Sequence, residues 1–387
     1  VLDSLQTREL TRRERLQELS LLNLGITFAV QGEKAGIERV FPFDFVPRII
    51  TAREWAELEA GLIQRVTAIN LFLLDLYTEQ RCLHEGVIPW ELVLSRPEYH
   101  RVARGVVPPE KIFTHVVGTD LIRDDDGTYR VLEDNCRCPS GVSYVLENRG
   151  MLNRSFPELF GLGPVRPVGD YTRWLLETLR FVAPRWSERS QVVVLTPGIF
   201  NSAYFEHSFL AREMGVPLVQ ASDLIVEDGY VYLRTTSGRQ RVDVIYRRID
   251  DSFMDPLTFR PDSMLGIAGL FDAYRAGNVN VCSAPGAGVA DDKAIYIYVP
   301  EMIRFYLGEE PVLENIETYQ CGREDELKYV LNNLHELVVK EVHGSGGYGM
   351  LIGPKSSKAE IEKYRKRILA NPAEFIAQPT LDLSSAP

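Results

Sequence analysis

The chain lacks any uncharged apolar run long enough to cross a bilayer, which takes about 18 residues. Its best candidate, Ile69-Asn-Leu-Phe-Leu-Leu-Asp-Leu-Tyr77, is short and broken by Asp75, so it reads as a core helix. It also lacks an excess of positive charge. The formal net charge is −11, which argues against a nucleic-acid or membrane-surface partner and leaves any anionic ligand to local Arg and Lys clusters. No signal-peptide pattern opens the sequence, which starts at Val1 and reads as a trimmed product. Cysteine is sparse: five in 387 residues, an odd number that points to a reducing cytoplasm rather than a disulfide framework. Cys136 and Cys138 form a C-x-C pair, but no second pair or nearby His completes a zinc site.

What is present is ordinary for a globular protein, 45% hydrophobic and 25% charged, with length for two or three domains. The most informative segment runs from Thr119 to Asn135. Two apolar runs flank Asp126-Gly127, a strong hairpin signal. With that pair as a two-residue loop, Asp120 faces Glu133, Gly118 faces Asn135, and Asn135 shares the face of Glu133 because strand side chains alternate. Two carboxylates directly opposite each other destabilise a hairpin. A bound Mg²⁺ relieves that repulsion and takes oxygen ligands of this kind, so Asp120, Glu133 and Asn135 are metal candidates. Asp124, Asp125 and Asp126 read as a solvated tip. Cys136 and Cys138 fall on the opposite face, which suits buried thiols.

A second constellation lies at 337–353. An apolar strand bearing Lys340 runs into Gly344-Ser345-Gly346-Gly347-Tyr348-Gly349 and then a further strand. Glycines let backbone N–H groups turn toward one point and cradle phosphate, and Lys340 can neutralise its oxygens. The order excludes a P-loop, because the lysine precedes the loop and a strand follows. Alone, such a hairpin is more often a flexible connection. Beside metal carboxylates, it is what a nucleoside triphosphate requires.

Between these motifs the texture changes. Helices are expected near 5–22, 51–78 and 143–153, and a strand at 25–30. From about 170, helices alternate with strands at 192–195, 217–219, 224–226, 230–234 and 242–246, an α/β pattern with a largely parallel sheet. The expected division is 1–165, N-terminal helices plus the metal hairpin; 166–285, a Rossmann-like α/β domain; and 286–387, the lysine and glycine-loop subdomain. Ser140, Gly141 and Ser143 open a helix whose free N–H groups suit an anionic substrate. Thr196-Pro-Gly198 ends a strand, the usual ligand position in an open α/β sheet. Arg247 and Arg248 point opposite ways, so at most one reaches a ligand. His207 reads either as a substrate contact or as a structural histidine, and Arg137 either as a phosphate or carboxylate partner or as a structural ion pair.

The two constellations together resemble the ATP-grasp superfamily: Asp120, then Glu133, Asn135 and the turn Pro139-Ser-Gly141. Here the lysine and glycine loop follow the metal hairpin, an order similar to circularly permuted ATP-grasp proteins related to glutathionylspermidine synthase-like ligases. The likeness extends through Phe43-Asp-Phe-Val-Pro-Arg-Ile-Ile50, Ser140-Gly-Val-Ser-Tyr-Val-Leu-Glu-Asn-Arg149, Asn201-Ser-Ala-Tyr-Phe-Glu-His207, Asp243-Val-Ile-Tyr-Arg-Arg-Ile-Asp-Asp251 and Ala290-Asp-Asp-Lys293. It implies an α/β (α+β) ATP-grasp fold with ATP and Mg²⁺ as cofactors. Lys293 and Lys340 become the nucleotide lysines and Gly344–Gly349 the lid. Phe375-Ile-Ala-Gln378-Pro resembles the hinge strand whose backbone reads adenine. By their place in the middle α/β domain, Asn201, His207 and Arg247 are candidate substrate contacts. It further implies a strand with an Asp-Leu-Arg-Pro motif beyond Pro387, which this sequence does not contain.

The implied reaction is ADP-forming ligation of a carboxylate to an amine through an acyl phosphate, on a peptide-like or polyamine-like substrate. Catalysis then rests on positioning and charge neutralisation by Lys293, Lys340 and Arg137, with no protein nucleophile. The competing readings are a catalytically silent nucleotide-binding module and an ATP-dependent phosphotransferase using the same phosphate site.

Overall fold

The strand Val192–Leu195, all branched apolar residues, and the strand Val244–Arg247, which ends in Tyr246 and Arg247, bury every position, the signature of parallel strands covered on both faces. In the computed structural model, which describes residues 7–23, 26–29, 38–40, 46–124, 126–161, 163–344 and 349–381, they form the centre of an α/β fold. The chain packs as two compact units, each assembled from two stretches of sequence: Val1–Arg48 with Cys138–Cys282, and Ile49–Arg137 with Ser283–Pro387.

In the first unit a four-stranded parallel sheet runs in the order Asn280–Cys282, Val244–Arg247, Val192–Leu195, Leu218–Val219. Chain order reverses between the two central strands, so their carboxyl ends form a topological switch point. Helices Val142–Ser155, Tyr171–Phe181 and Tyr204–Met214 belong to this unit. The last ends on Gly215 at φ 67°, the left-handed cap that glycine accepts without a Cβ penalty. A meander of Leu224–Glu227, Tyr230–Thr235 and Gly238–Arg241 completes the unit's larger sheets. Its third strand, three charged or amide residues after Gly238, carries no apolar signal that sequence reading could use.

In the second unit, helix Ala52–Tyr77 starts on a Thr51/Glu54 capping box, Glu54 N to Thr51 Oγ1 3.3 Å and Thr51 N to Glu54 Oε2 2.7 Å. This helix carries Arg65, 1% exposed, which holds buried Asp134 on the hairpin strand Tyr129–Asn135 through Nη2–Oδ2 at 2.6 Å. Leu58, Val131, Tyr296 and Leu313 form a buried apolar cluster in this unit, and the Arg65 guanidinium lies over the Tyr296 ring. A separate antiparallel sheet runs Tyr319–Gln320, Phe375–Pro379, Leu337–Glu341, Leu351–Ile352. It packs its Val339, Leu351, Phe375 and Ala377 side against Val330, Leu334, Tyr364 and Ile368 of helical segments. Lys340 therefore projects from a central strand of a braced sheet.

Candidate functional site

The hairpin Gly118–Arg123/Tyr129–Asn135 pairs Asp120 with Glu133 and Gly118 with Asn135. The route to that register differs from expectation. Arg123 pairs with Tyr129, and Asp124 N donates to Thr128 O at 3.0 Å, so the turn is longer than a two-residue loop. A β-bulge between the Asp120 and Leu121 pairs, where the partner jumps from Glu133 to Val131, restores the spacing. The two differences cancel at the carboxylates.

Asp120 is an exposed residue, yet protein atoms crowd its carboxyl; that burial, together with the facing Glu133, pushes its pKa up to about 6. Lys293 and Lys340 act in the opposite direction. Lys293 Nζ lies 3.1 Å from Glu133 Oε2 and donates to Gly344 O at 2.8 Å. Lys340 Nζ donates to Gln378 Oε1 at 2.9 Å, and burial lowers its pKa, with Lys293 adding to the effect while Glu133 and Asp120 oppose it. Two acids and two lysines from four sequence regions thus share one electrostatic neighbourhood at the root of the glycine loop. Asn135 Nδ2 donates to Gly118 O at 3.1 Å, tying the hairpin's open end. Among the described residues no group of three His, Cys, Asp or Glu side chains is arranged to hold a metal. The oxygen donors Asp120, Glu133 and Asn135 nonetheless fit a hard cation chemically, and the repulsion within the carboxylate pair is what a cation would relieve.

Lys293 is positioned by residues the sequence reading passed over. Asp292 caps its short helix, accepting from Ala294 N at 2.7 Å, and pairs with Arg96 at 2.9 Å. Burial raises the Asp292 pKa while Arg96 opposes the rise. His343, just before the glycine loop, lies between Glu98 (3.4 Å), Asp292 (3.6 Å) and Glu374 (3.5 Å). Lys293 N also donates to Val342 O at 3.3 Å. These carboxylates are scattered through the sequence at no motif spacing, so only the fold assembles them. Within the loop, Gly344 and Gly349 are described, the latter at φ 71°. Ser345, Gly346, Gly347 and Tyr348 lie outside the described residues.

Arg137 pairs with Asp291 at 3.3 Å, and Asp291 also accepts the Arg137 backbone N–H at 3.0 Å, the structural ion pair of the two readings. Gln378 is buried and its amide is engaged at both ends, with Lys340 and with Thr318 Oγ1 at 3.0 Å. The backbone of its strand is paired on both sides at Ile376 and Ala377, whereas Gln378 and Pro379 run past the Tyr319–Gln320 pairing.

The substrate candidates lie in the other unit, and several are already occupied. The helix N-terminus at Ser140–Ser143 does meet an anion, but it is the chain's own: Glu206 Oε2 accepts from Gly141 N (2.6 Å), Ser143 N (3.1 Å) and Ser143 Oγ (2.9 Å). Ser140 itself is exposed. Arg247 is fully buried, bonded to Asp251 at 2.6 Å and to Ile249 O, which removes it from ligand contact. Arg248 is buried as well, reaching Pro139 O at 2.6 Å and Glu206 at 3.4 Å. The two arginines do diverge, as alternation requires, but each finds an internal partner. His207, 2% exposed, bonds Thr196 Oγ1 through Nδ1 at 2.9 Å, and burial beside Arg248 pushes its pKa down to about 3. Asn201 Oδ1 accepts from Ala203 N at 2.9 Å in the loop entering the same helix.

The family model of circularly permuted ATP-grasp type 2 proteins matches residues 47–387. An uncharacterized protein of Synechocystis sp. is 52% identical over 378 residues, covering 98% of this chain and 79% of its own length. An uncharacterized protein of Mycobacterium tuberculosis is 53% identical over 379 residues, 98% of this chain and 68% of its own. A Frankia alni protein named "Putative glutamate--cysteine ligase 2-3" is 42% identical over the whole chain, which spans 45% of that protein. The solved structure of a glutathione synthetase like-effector from Globodera pallida superposes with a TM-score of 0.58 at 11% identity, over 98% of this chain and 83% of that one. That likeness concerns the fold.

Proposed function

Because the chain belongs to the circularly permuted ATP-grasp family, we propose that it is an ATP- and Mg²⁺-dependent, ADP-forming carboxylate–amine ligase acting through an acyl phosphate. The observation that carries this reading is the meeting of Asp120, Glu133, Lys293 and Lys340 at the root of the glycine loop within one compact unit. Asp120, Glu133 and Asn135 would hold Mg²⁺, which supplies charge neutralisation at the transferred phosphate. Lys340, on a braced central strand, and Lys293, on a capped helix, place two further positive charges where negative charge develops. Preorganised charge of this kind is the main catalytic resource in phosphoryl transfer. The ligase names among relatives such as the Frankia alni protein support the reaction class. A peptide-like or polyamine-like pair of substrates fits that class.

Substrate contacts are assigned to the loop Gly198–Asn201 at the end of strand Val192–Leu195, rather than to Arg247 or the Gly141–Ser143 amides, which are already bonded within the chain. No helix among the described residues is long and apolar enough to cross a membrane. The test is ATP turnover over a panel of acids with hydroxylamine as the trapping amine. Hydroxamate formation dependent on both ATP and acid supports the acyl-phosphate route. Phosphate release to an acceptor without hydroxamate favours the phosphotransferase reading.

A further inference from the structure

Lys293 and a divalent cation compete for the same carboxylate. Its ammonium lies 3.1 Å from Glu133 Oε2 and 2.8 Å from the Gly344 carbonyl, with the side chain only 12% exposed. A Mg²⁺ on either oxygen of Glu133 would sit about 2.0–2.1 Å from it, a few ångströms from the ammonium on the same carboxylate, where the two positive charges repel. Asp120, facing Glu133, has no comparable ion pair with Lys293, and Lys340 is committed to Gln378. Among the described residues, Glu133 is the metal candidate that holds an ion pair with Lys293.

We propose that Lys293 is a built-in counter-ion of Glu133 that makes metal and nucleotide binding interdependent, an inference that rests on the reading given above. A metal binding alone must evict the lysine while offering it no new anion. A nucleotide binding alone must draw the lysine off Glu133 and leave that carboxylate uncompensated. When both arrive, the cation takes Glu133 and the phosphates take Lys293, and every charge is matched. Linkage requires the coupling to be reciprocal.

The experiment separates the two ligands and uses the full chain. Free Mn²⁺ binding, without nucleotide, is measured by electron paramagnetic resonance; TNP-ATP binding is measured in EDTA by fluorescence. Lys293→Met should bind free Mn²⁺ about tenfold more tightly than the parent, within the usual 5–150-fold range of coupling, and should bind TNP-ATP more weakly. Lys293→Arg, which keeps the charge, should stay near the parent in the Mn²⁺ arm. Glu133→Gln is the mirror image: Mn²⁺ binding is lost, while metal-free TNP-ATP binding tightens because Lys293 is released. Thermal melts check that each variant is folded. Mn²⁺ affinity that is unchanged or weaker in Lys293→Met overturns the inference, as does weaker TNP-ATP binding in Glu133→Gln. If the parent binds neither probe even when Mn²⁺ and TNP-ATP are added together, the ligase reading itself falls and this inference falls with it.

Discussion

Glu206 and Ser143 sit on different helices of one unit and are joined by two hydrogen bonds to a single carboxylate oxygen, from Ser143 N at 3.1 Å and Ser143 Oγ at 2.9 Å. A buried glutamate thus does for this helix what a ligand or an N-cap side chain does elsewhere. Its other oxygen faces Arg248, so the pair also neutralises a buried guanidinium. Glu206→Gln keeps the shape and removes the charge. The expected cost is about 3–5 kcal/mol, the usual effect of stripping one partner from a buried ion pair, measured by urea denaturation at pH 7. A loss below about 1 kcal/mol would show that the capping role is minor.

His207 gives the folded chain a pH signature. Burial, with Arg248 nearby, holds it neutral down to about pH 3, whereas an unfolded imidazole protonates near 6.5. Between those values the unfolded state binds one more proton, so stability rises with pH through this window and levels off above it. The slope is at most about 1.4 kcal/mol per pH unit for one proton. His207→Gln should flatten the curve between pH 6.5 and 4.5 by that amount, as measured by denaturation at a series of pH values. An unchanged slope would assign the acid sensitivity to other groups.

Asp134 separates two metal candidates and points the other way, into the helix that carries Arg65. Three short contacts from Arg65 and one from Thr119 Oγ1 at 2.8 Å hold it. Asp134→Asn leaves a buried guanidinium short of its charge partner, and a loss of about 3–5 kcal/mol is expected in the denaturation midpoint analysis. Divalent-cation affinity should fall as well, because Glu133 and Asn135 flank this anchor on the same strand.

Much of this was legible in the sequence, for identifiable reasons. Alternation along a strand ties Asp120, Glu133 and Asn135 to one another, and the strands expected at 192–195 and 242–246 appear as the parallel pair Val192–Leu195 and Val244–Arg247. Register survived a wrong turn because a bulge compensated for the longer loop. Partner choice was not legible. The free amides at Gly141 and Ser143 indicated an anion, but nothing local said that it would be Glu206, some 60 residues away in the chain. In the same way Arg247 looked like a ligand contact until burial placed Asp251 beside it. The carboxylates around His343 come together only through tertiary packing.

Glu133→Gln should lower ATP-dependent turnover by on the order of 10²–10³, the scale for losing one preorganised electrostatic group, with a melting temperature close to the parent's. The side chain is 20% exposed and its mate is a lysine at the site, so folding does not depend on its charge. A variant that turns over ATP normally would remove Glu133 from the metal site.

Lys340 offers the most direct test of a nucleotide site in the unit that joins the hairpin to the glycine loop. Its hydrogen-bond partner is the neutral amide of Gln378 and Glu133 keeps its ion pair with Lys293, so Lys340→Met removes a positive charge from the site while leaving that pair intact. Isothermal titration of ATP with Mg²⁺ should give saturable binding to the parent chain and at least tenfold weaker binding to Lys340→Met. No binding to the parent, or equal affinity in the two proteins, would contradict it.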